Sequence, residues 1–224
     1  MKTKIPQLIL ATLFTAGTAQ AAAIAWGSAT TVSTVSDIST SGSLVEAINL
    51  NDGTAGSVTA NGVTFANDGS LLSSSSSLDL YSGTTGDAGY DQILSNFDFG
   101  NGGGLTTLTL GGGNLVPGAT YQIQIWWSDT RQSADRSFRY GDGDGGGVGN
   151  FVDLQGQDNL GGPQYSIGTF TADGANQNLV LDPAAYGWGN SHFSAYQIRQ
   201  VPEPSSTALL GLGLSSLLLR RRRS

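Results

Sequence analysis

Val116-Pro117-Gly118-Ala119-Thr120-Tyr121-Gln122-Ile123-Gln124-Ile125-Trp126-Trp127 is the stretch whose reading decides the fold. Pro117-Gly118 is a turn pair, because proline presets the first corner of a β-turn and glycine accepts the positive φ that follows. Alternation along Thr120 to Trp127 then places Tyr121, Ile123, Ile125 and Trp127 on one face, with Gln122, Gln124 and Trp126 on the other. The first set reads as core. Upstream, Leu105 to Leu110 alternates in the same way and runs into Gly111-Gly112-Gly113, so the two segments are expected to pair as a hairpin.

Similar short stretches lie on both sides. Ile24 to Thr34, Ser57 to Phe65, Ser77 to Tyr81 and Ile93 to Phe99 precede the hairpin. Ser137 to Tyr140, Asn150 to Leu154, Gln164 to Thr171, Asn178 to Asp182 and Ser194 to Val201 follow it. Between them stand turns rich in Gly, Asp and Asn, such as Ala172-Asp173-Gly174, and glycine makes up 33 of 224 residues, about twice its usual share of roughly 7%. No long stretch carries a helical period; the nearest is Gly42 to Leu50, whose Leu44, Val45, Ile48 and Leu50 could form a helical turn or two. No repeat is evident, and Ser73 to Ser77 reads as a solvated loop. The expected fold class is all-β: a two-sheet antiparallel β-sandwich, jelly-roll-like, with an N-terminal signal helix and a C-terminal hydrophobic helix.

The two ends carry addresses. Lys2 and Lys4, an apolar run from Ile5 to about Gly17, and small residues at Ala19 and Ala21 make residues 1–21 a secretory signal peptide, which implies Sec-type export and signal peptidase as partners. At the other end Val201, Pro202, Glu203 and Pro204 precede an uncharged stretch from Ser205 to Leu219, closed by Arg220, Arg221, Arg222 and Arg223. As a helix that stretch rises roughly 22 Å, a short span against a hydrocarbon core of about 30 Å. The arginines would hold the far end in the cytoplasm. An ordinary C-terminal anchor with a stop-transfer cluster has the same elements.

In order and position, Pro202-Glu203-Pro204, the hydrophobic helix and the basic end resemble the PEP-CTERM sorting signal of Gram-negative bacteria. The resemblance implies an exosortase-type membrane transpeptidase as partner. It also implies transient residence in the inner membrane through the C-terminal helix, then delivery to the cell envelope or extracellular matrix. Residues 22–200 would form one β-sandwich domain and 201–224 the sorting signal. The domain itself resembles one recurring among exported PEP-CTERM proteins, through Ala25-Trp26-Gly27, Ser36-Asp37-Ile38-Ser39-Thr40-Ser41-Gly42, Asn61-Gly62-Val63-Thr64-Phe65, Pro117 to Tyr121, Trp127 to Arg131 and Gly168 to Gly174. Such domains are similar to galactose-binding-like sandwiches and carbohydrate-binding modules.

Charge narrows the function. Every acidic residue except Glu203 lies within residues 22–200, against only Arg131, Arg136, Arg139 and Arg199; sixteen acids and four arginines leave a net charge of −12. Nucleic acid is excluded as an expected partner, since binding it depends on cations that neutralise phosphate. With no cysteine there is neither a disulfide frame nor a thiolate ligand or nucleophile.

The candidate sites are few. His192 is the sole histidine and no Gly-x-Ser-x-Gly elbow occurs in residues 22–200, so no catalytic residue is assigned. Asp142 and Asp144, in Tyr140-Gly-Asp142-Gly-Asp144-Gly-Gly-Gly147, are the candidate metal ligands, with calcium as the candidate cofactor; the same loop also reads as a flexible acidic hairpin end. For glycan binding the candidates are Trp126 with Gln122 and Gln124, and Tyr186 with Trp188 on a glycine-flanked loop. Trp126 could equally be covered by a second layer, and Trp188 could plug one end of the sandwich. Asp129 with Arg131, Arg136 and Arg139 is expected to form ion pairs. The resulting expectation is an exported, non-catalytic sandwich of the envelope or polysaccharide matrix that binds glycan. A secreted polysaccharide-active enzyme and a purely structural matrix component are the alternatives.

Overall fold

The computed structural model describes residues 22–50, 56–68, 71–72, 81, 83–100, 102–129, 137–143, 148–155, 162–187 and 189–202. Fourteen short strands and one α-helix make up the regular structure of these residues: β1 (Ala25–Trp26), β2 (Thr30–Thr31), β3 (Ser43–Asn49), β4 (Val58–Ala60), β5 (Val63–Asn67), α1 (Ala88–Ser95), β6 (Asp98–Gly100), β7 (Thr106–Leu110), β8 (Thr120–Trp127), β9 (Ser137–Gly141), β10 (Phe151–Gln155), β11 (Gln164–Thr171), β12 (Gln177–Asp182), β13 (Ser191–Phe193) and β14 (Ala195–Gln200). They form a β-sandwich. One sheet runs β1-β11-β8-β14-β3-β5-β4, with β2 also on β11; the other runs β10-β9-β12-β7; β13 and β6 make a small pair. All pairings are antiparallel except β3 with β5.

The core follows from the alternation in β8. Tyr121, Ile123, Ile125 and Trp127 are buried between the sheets against Phe138, Tyr140, Leu154, Leu179 and Leu181. The opposite face is also covered. There Trp126 joins Phe65, Tyr90, Ile93, Leu94 and Ala195 in a second buried cluster beneath α1 and the β4–β5 hairpin. That hairpin turns at Asn61-Gly62, both with positive φ (47° and 71°), a pairing that matches strand twist. Helix α1 begins where Asp87 caps it, accepting the Tyr90 N–H at 2.9 Å, and its buried Tyr90, Ile93 and Leu94 fall at i, i+3 and i+4.

Several expectations need correcting. The segments β7 and β8 do not pair; β7 lies beside β12 and β8 between β11 and β14, in different sheets. The connection from Gly111 to Ala119 is too long for a tight turn and arches between layers, held by Leu115 N–H to Ala175 O (3.0 Å) and Gly118 N–H to Ala172 O (2.7 Å). Ser43–Asn49 is a strand, not a helical turn, because β14 offers it a full ladder. Within Ile93 to Phe99 the first residues end α1, and only Asp98 onward is extended. Most of Ser77 to Tyr81, the Ser73 to Ser77 loop, the N-terminal signal helix and the C-terminal hydrophobic helix lie outside the described residues.

The last strand holds the centre. β14 sits between β8 and β3, and just beyond it Val201 N–H donates to Thr120 O at 3.0 Å, so the fold continues to the residue before Pro202.

Candidate functional site

Two polar stretches noticed in the sequence turn out to be structural. Gln124 is fully buried: its Oε1 accepts the Ser39 N–H at 2.9 Å and its Nε2 donates to Asp37 O at 2.7 Å. Gln122 Oε1 accepts from the Ser39 hydroxyl at 2.6 Å. Beside them Gln197 Nε2 donates to Ser39 O, and the Arg199 guanidinium donates to the carbonyls of Thr40, Ser41 and Gly42 at 2.9–3.2 Å. These side chains strap residues 37–42 across the large sheet. Trp126 is 0% exposed. The expected sugar platform of Trp126, Gln122 and Gln124 is therefore corrected: that face of β8 is a second interior.

Asp142 is likewise occupied. Its Oδ2 accepts the Ile24 N–H at 2.6 Å and the Asn150 side-chain N–H at 3.1 Å, while Oδ1 accepts the Asn150 backbone N–H at 2.9 Å. A carboxylate so surrounded by donors clamps the N-terminal strand to the segment leading into β10. Gly149 is required there, because a Cβ would run into the Asp142 carboxylate. Asp144 and Trp188 lie outside the described residues. Among the described residues no three of His, Cys, Asp or Glu gather as a metal-holding group. His192 is on β13 and 8% exposed, with its ring 5.5–5.6 Å from those of Phe97, Trp127 and Phe138.

The clamp at Asp142 creates what the sequence did not show. β1 and β10 are edge strands of the two sheets, and Asp142 brings their starts together across an open cleft of about 540 Å³. Its walls are Ala23 to Trp26 on one side and Gly149 to Phe151 on the other. Trp26, half-buried, lies across Gly168 of the neighbouring strand, where the absent Cβ leaves room for the indole. The Phe151 ring is 48% exposed, and the Arg139 guanidinium covers it 3.8 Å from the centroid.

Arg139 is held in turn. Opposite it on β10, Asp153 takes Nε at 2.8 Å and Nη2 at 3.0 Å, a two-pronged pair that raises the arginine's pKa. On its other side β12 places Asp182 opposite Arg139, and a 3-10 turn over Pro183–Tyr186 follows, capped by Asp182 accepting the Ala185 N–H at 3.1 Å. Tyr186, 36% exposed, is near enough to Arg139 to raise its pKa further. Of the sequence candidates, Tyr186 alone among those described is an exposed aromatic; it borders a stripe running Phe151, Arg139 with Asp153, then Asp182. The signal for this stripe was present in Phe151-Val152-Asp153-Leu154-Gln155, whose alternation sets Phe151 on the polar face with Asp153. Of the expected ion pairs, Arg139 takes Asp153 as its partner, Asp129 is 0% exposed, and Arg131 and Arg136 lie outside the described residues.

The chain resembles solved extracellular domains of Arabidopsis thaliana. With that of ANXUR1 it shares 13% identity over 71% of this chain and 49% of the other, at a TM-score of 0.49. With ANXUR2 the values are 11%, 72% and 49%, at 0.37. The chain thus spans about half the length of these relatives. Comparison with curated proteins gives no match. Among the described residues no helix is long and apolar enough to cross a membrane. The tail is matched directly: residues 200–223 are a PEP-CTERM protein-sorting motif, so this chain carries the mark of a protein exported and processed through an exosortase.

Proposed function

We propose that the exported domain is a non-catalytic glycan-binding module that acts in the cell envelope or extracellular polysaccharide matrix, after Sec-type export and release of the tail. The observation that carries this is Phe151, a half-exposed ring fixed from behind by Arg139 at the mouth of a cleft of about 540 Å³. Sugar rings present C–H faces to aromatic rings and hydroxyls to polar groups, and the cleft and stripe offer both within one surface. The Arg139–Asp153 pair supplies guanidinium donors and carboxylate acceptors already ordered across two strands, which reduces the ordering that binding would require. Electrophoresis of the exported protein through gels containing the host's extracellular polysaccharide tests the reading. Retardation of the wild type that falls at least tenfold in Phe151→Ala supports it; wild-type mobility unchanged by any of a panel of polysaccharides overturns it.

A further inference from the structure

At one end of the sandwich, where β5 stops and β6 starts, a buried carboxylate lacks half of its partners. Asp98 is 0% exposed. Its Oδ2 accepts the Leu72 N–H at 3.1 Å, whereas its Oδ1 is buried with no hydrogen-bond partner. Asp68, one residue past β5, brings a second carboxylate close enough to repel it, and is itself set in place by its N–H, which donates to Asn49 O at 3.2 Å. Two neighbouring carboxylates, one of them cut off from water, make an arrangement that a bare fold leaves uncompensated, because a buried ionised group is costly unless paired. A buried acceptor left without a donor calls for a further group beside it, an ion among them.

We propose that Asp98 and Asp68 hold a divalent cation, Ca²⁺, as a structural ion pinning the residue 71–72 segment to β5 and β6. Oxygen is the donor element of both side chains, the choice of a hard cation rather than of zinc or copper. Two carboxylates supply the anionic ligands, and main-chain oxygens and water complete the six to eight that calcium takes. This site is separate from Asp142, whose oxygens already receive N–H donors from Ile24 and Asn150.

The test is thermal unfolding of the full exported protein at pH 8, first stripped with chelator and then titrated with CaCl₂. At about a hundredfold excess over the dissociation constant the melting temperature rises by roughly 5–10 °C. Asp98→Asn abolishes the rise while melting, without calcium, at or above the stripped wild type. Asp68→Asn, a half-buried position whose replacement keeps the fold, reduces calcium affinity at least tenfold, whereas Asp142→Asn and Asp182→Asn keep it. A wild type indifferent to calcium, or an Asp98→Asn protein that still responds, overturns the site.

Discussion

The indole N–H of Trp126 donates to the hydroxyl of Tyr90 at 2.9 Å, with the two rings edge to face at 6.5 Å. Through this contact α1 is fastened to the middle of the large sheet, and Phe65 closes on Trp126 from the β4–β5 hairpin at 5.7 Å. Burial drives the Tyr90 hydroxyl's pKa far above its ordinary value, so the group stays neutral.

Trp126→Ala is therefore a stability mutation. It should cost about 3–5 kcal/mol in urea unfolding, the usual range for emptying a large aromatic site. Tyr90→Phe should cost about 1–3 kcal/mol by leaving the indole N–H unpaired in the interior. A Trp126→Ala protein of normal stability that had lost polysaccharide binding would reverse this assignment.

Arg199 is 8% exposed and spends its donors on the carbonyls of Thr40, Ser41 and Gly42. Arg199→Met keeps the apolar stem but removes those bonds, and should lower stability by about 2 kcal/mol or more. Hydrogen exchange of the amides in residues 37–42 should speed up selectively. Unchanged protection there would mean that Gln122, Gln124 and Gln197 hold the segment unaided.

Without a bound cation, Asp98 sets a pH dependence. Burial pushes its pKa up to about 7 from 3.8, opposed by the backbone N–H of Leu72 and with added repulsion from Asp68. The folded state then holds a proton that the unfolded state releases, so stability is greatest below about pH 4 on this account and falls as pH rises to about 7. The loss is on the order of 2–4 kcal/mol. Urea midpoints of chelated protein should drop between pH 5 and 8, and Asp98→Asn should flatten the slope; a midpoint that climbs over this interval contradicts the assignment.

Replacing Pro202, Glu203 and Pro204 by alanine should leave the precursor, with Arg220 to Arg223 attached, in the inner-membrane fraction of the host. Mass spectrometry of that fraction reads the outcome directly. Normal release of the altered protein would separate export from the motif matched at residues 200–223.

Much of the fold was legible because period-two patterning is local. Tyr121, Ile123, Ile125 and Trp127 declare their shared face without reference to the rest of the chain. What patterning cannot show is what covers the other face. Trp126 and Gln124 look solvent-facing until α1 and residues 37–42, distant in sequence, are laid over them. The same limit explains β7 and β8, which look like a hairpin although each has its partners in a different sheet. The candidate site was harder still. Its walls come from residues 23–26 and 149–151, and only the Asp142 clamp, formed across 118 positions of sequence, joins them.

The place of β14 also sets when the large sheet can close in a chain that emerges from its N-terminus. The large sheet cannot close until Ala195–Gln200 arrives between β8 and β3, and in a chain threaded from its N-terminus that strand is among the last segments to emerge. Folding thus finishes only when the sorting tail is the next segment to follow. Val201, bonded to Thr120, leaves no slack between the completed sheet and Pro202. In such a chain, closure of the sandwich would oppose slipping back and leave the motif directly after the folded sheet. A chain ending at residue 194 should be exported but remain open to protease, whereas one ending at residue 202 should resist it.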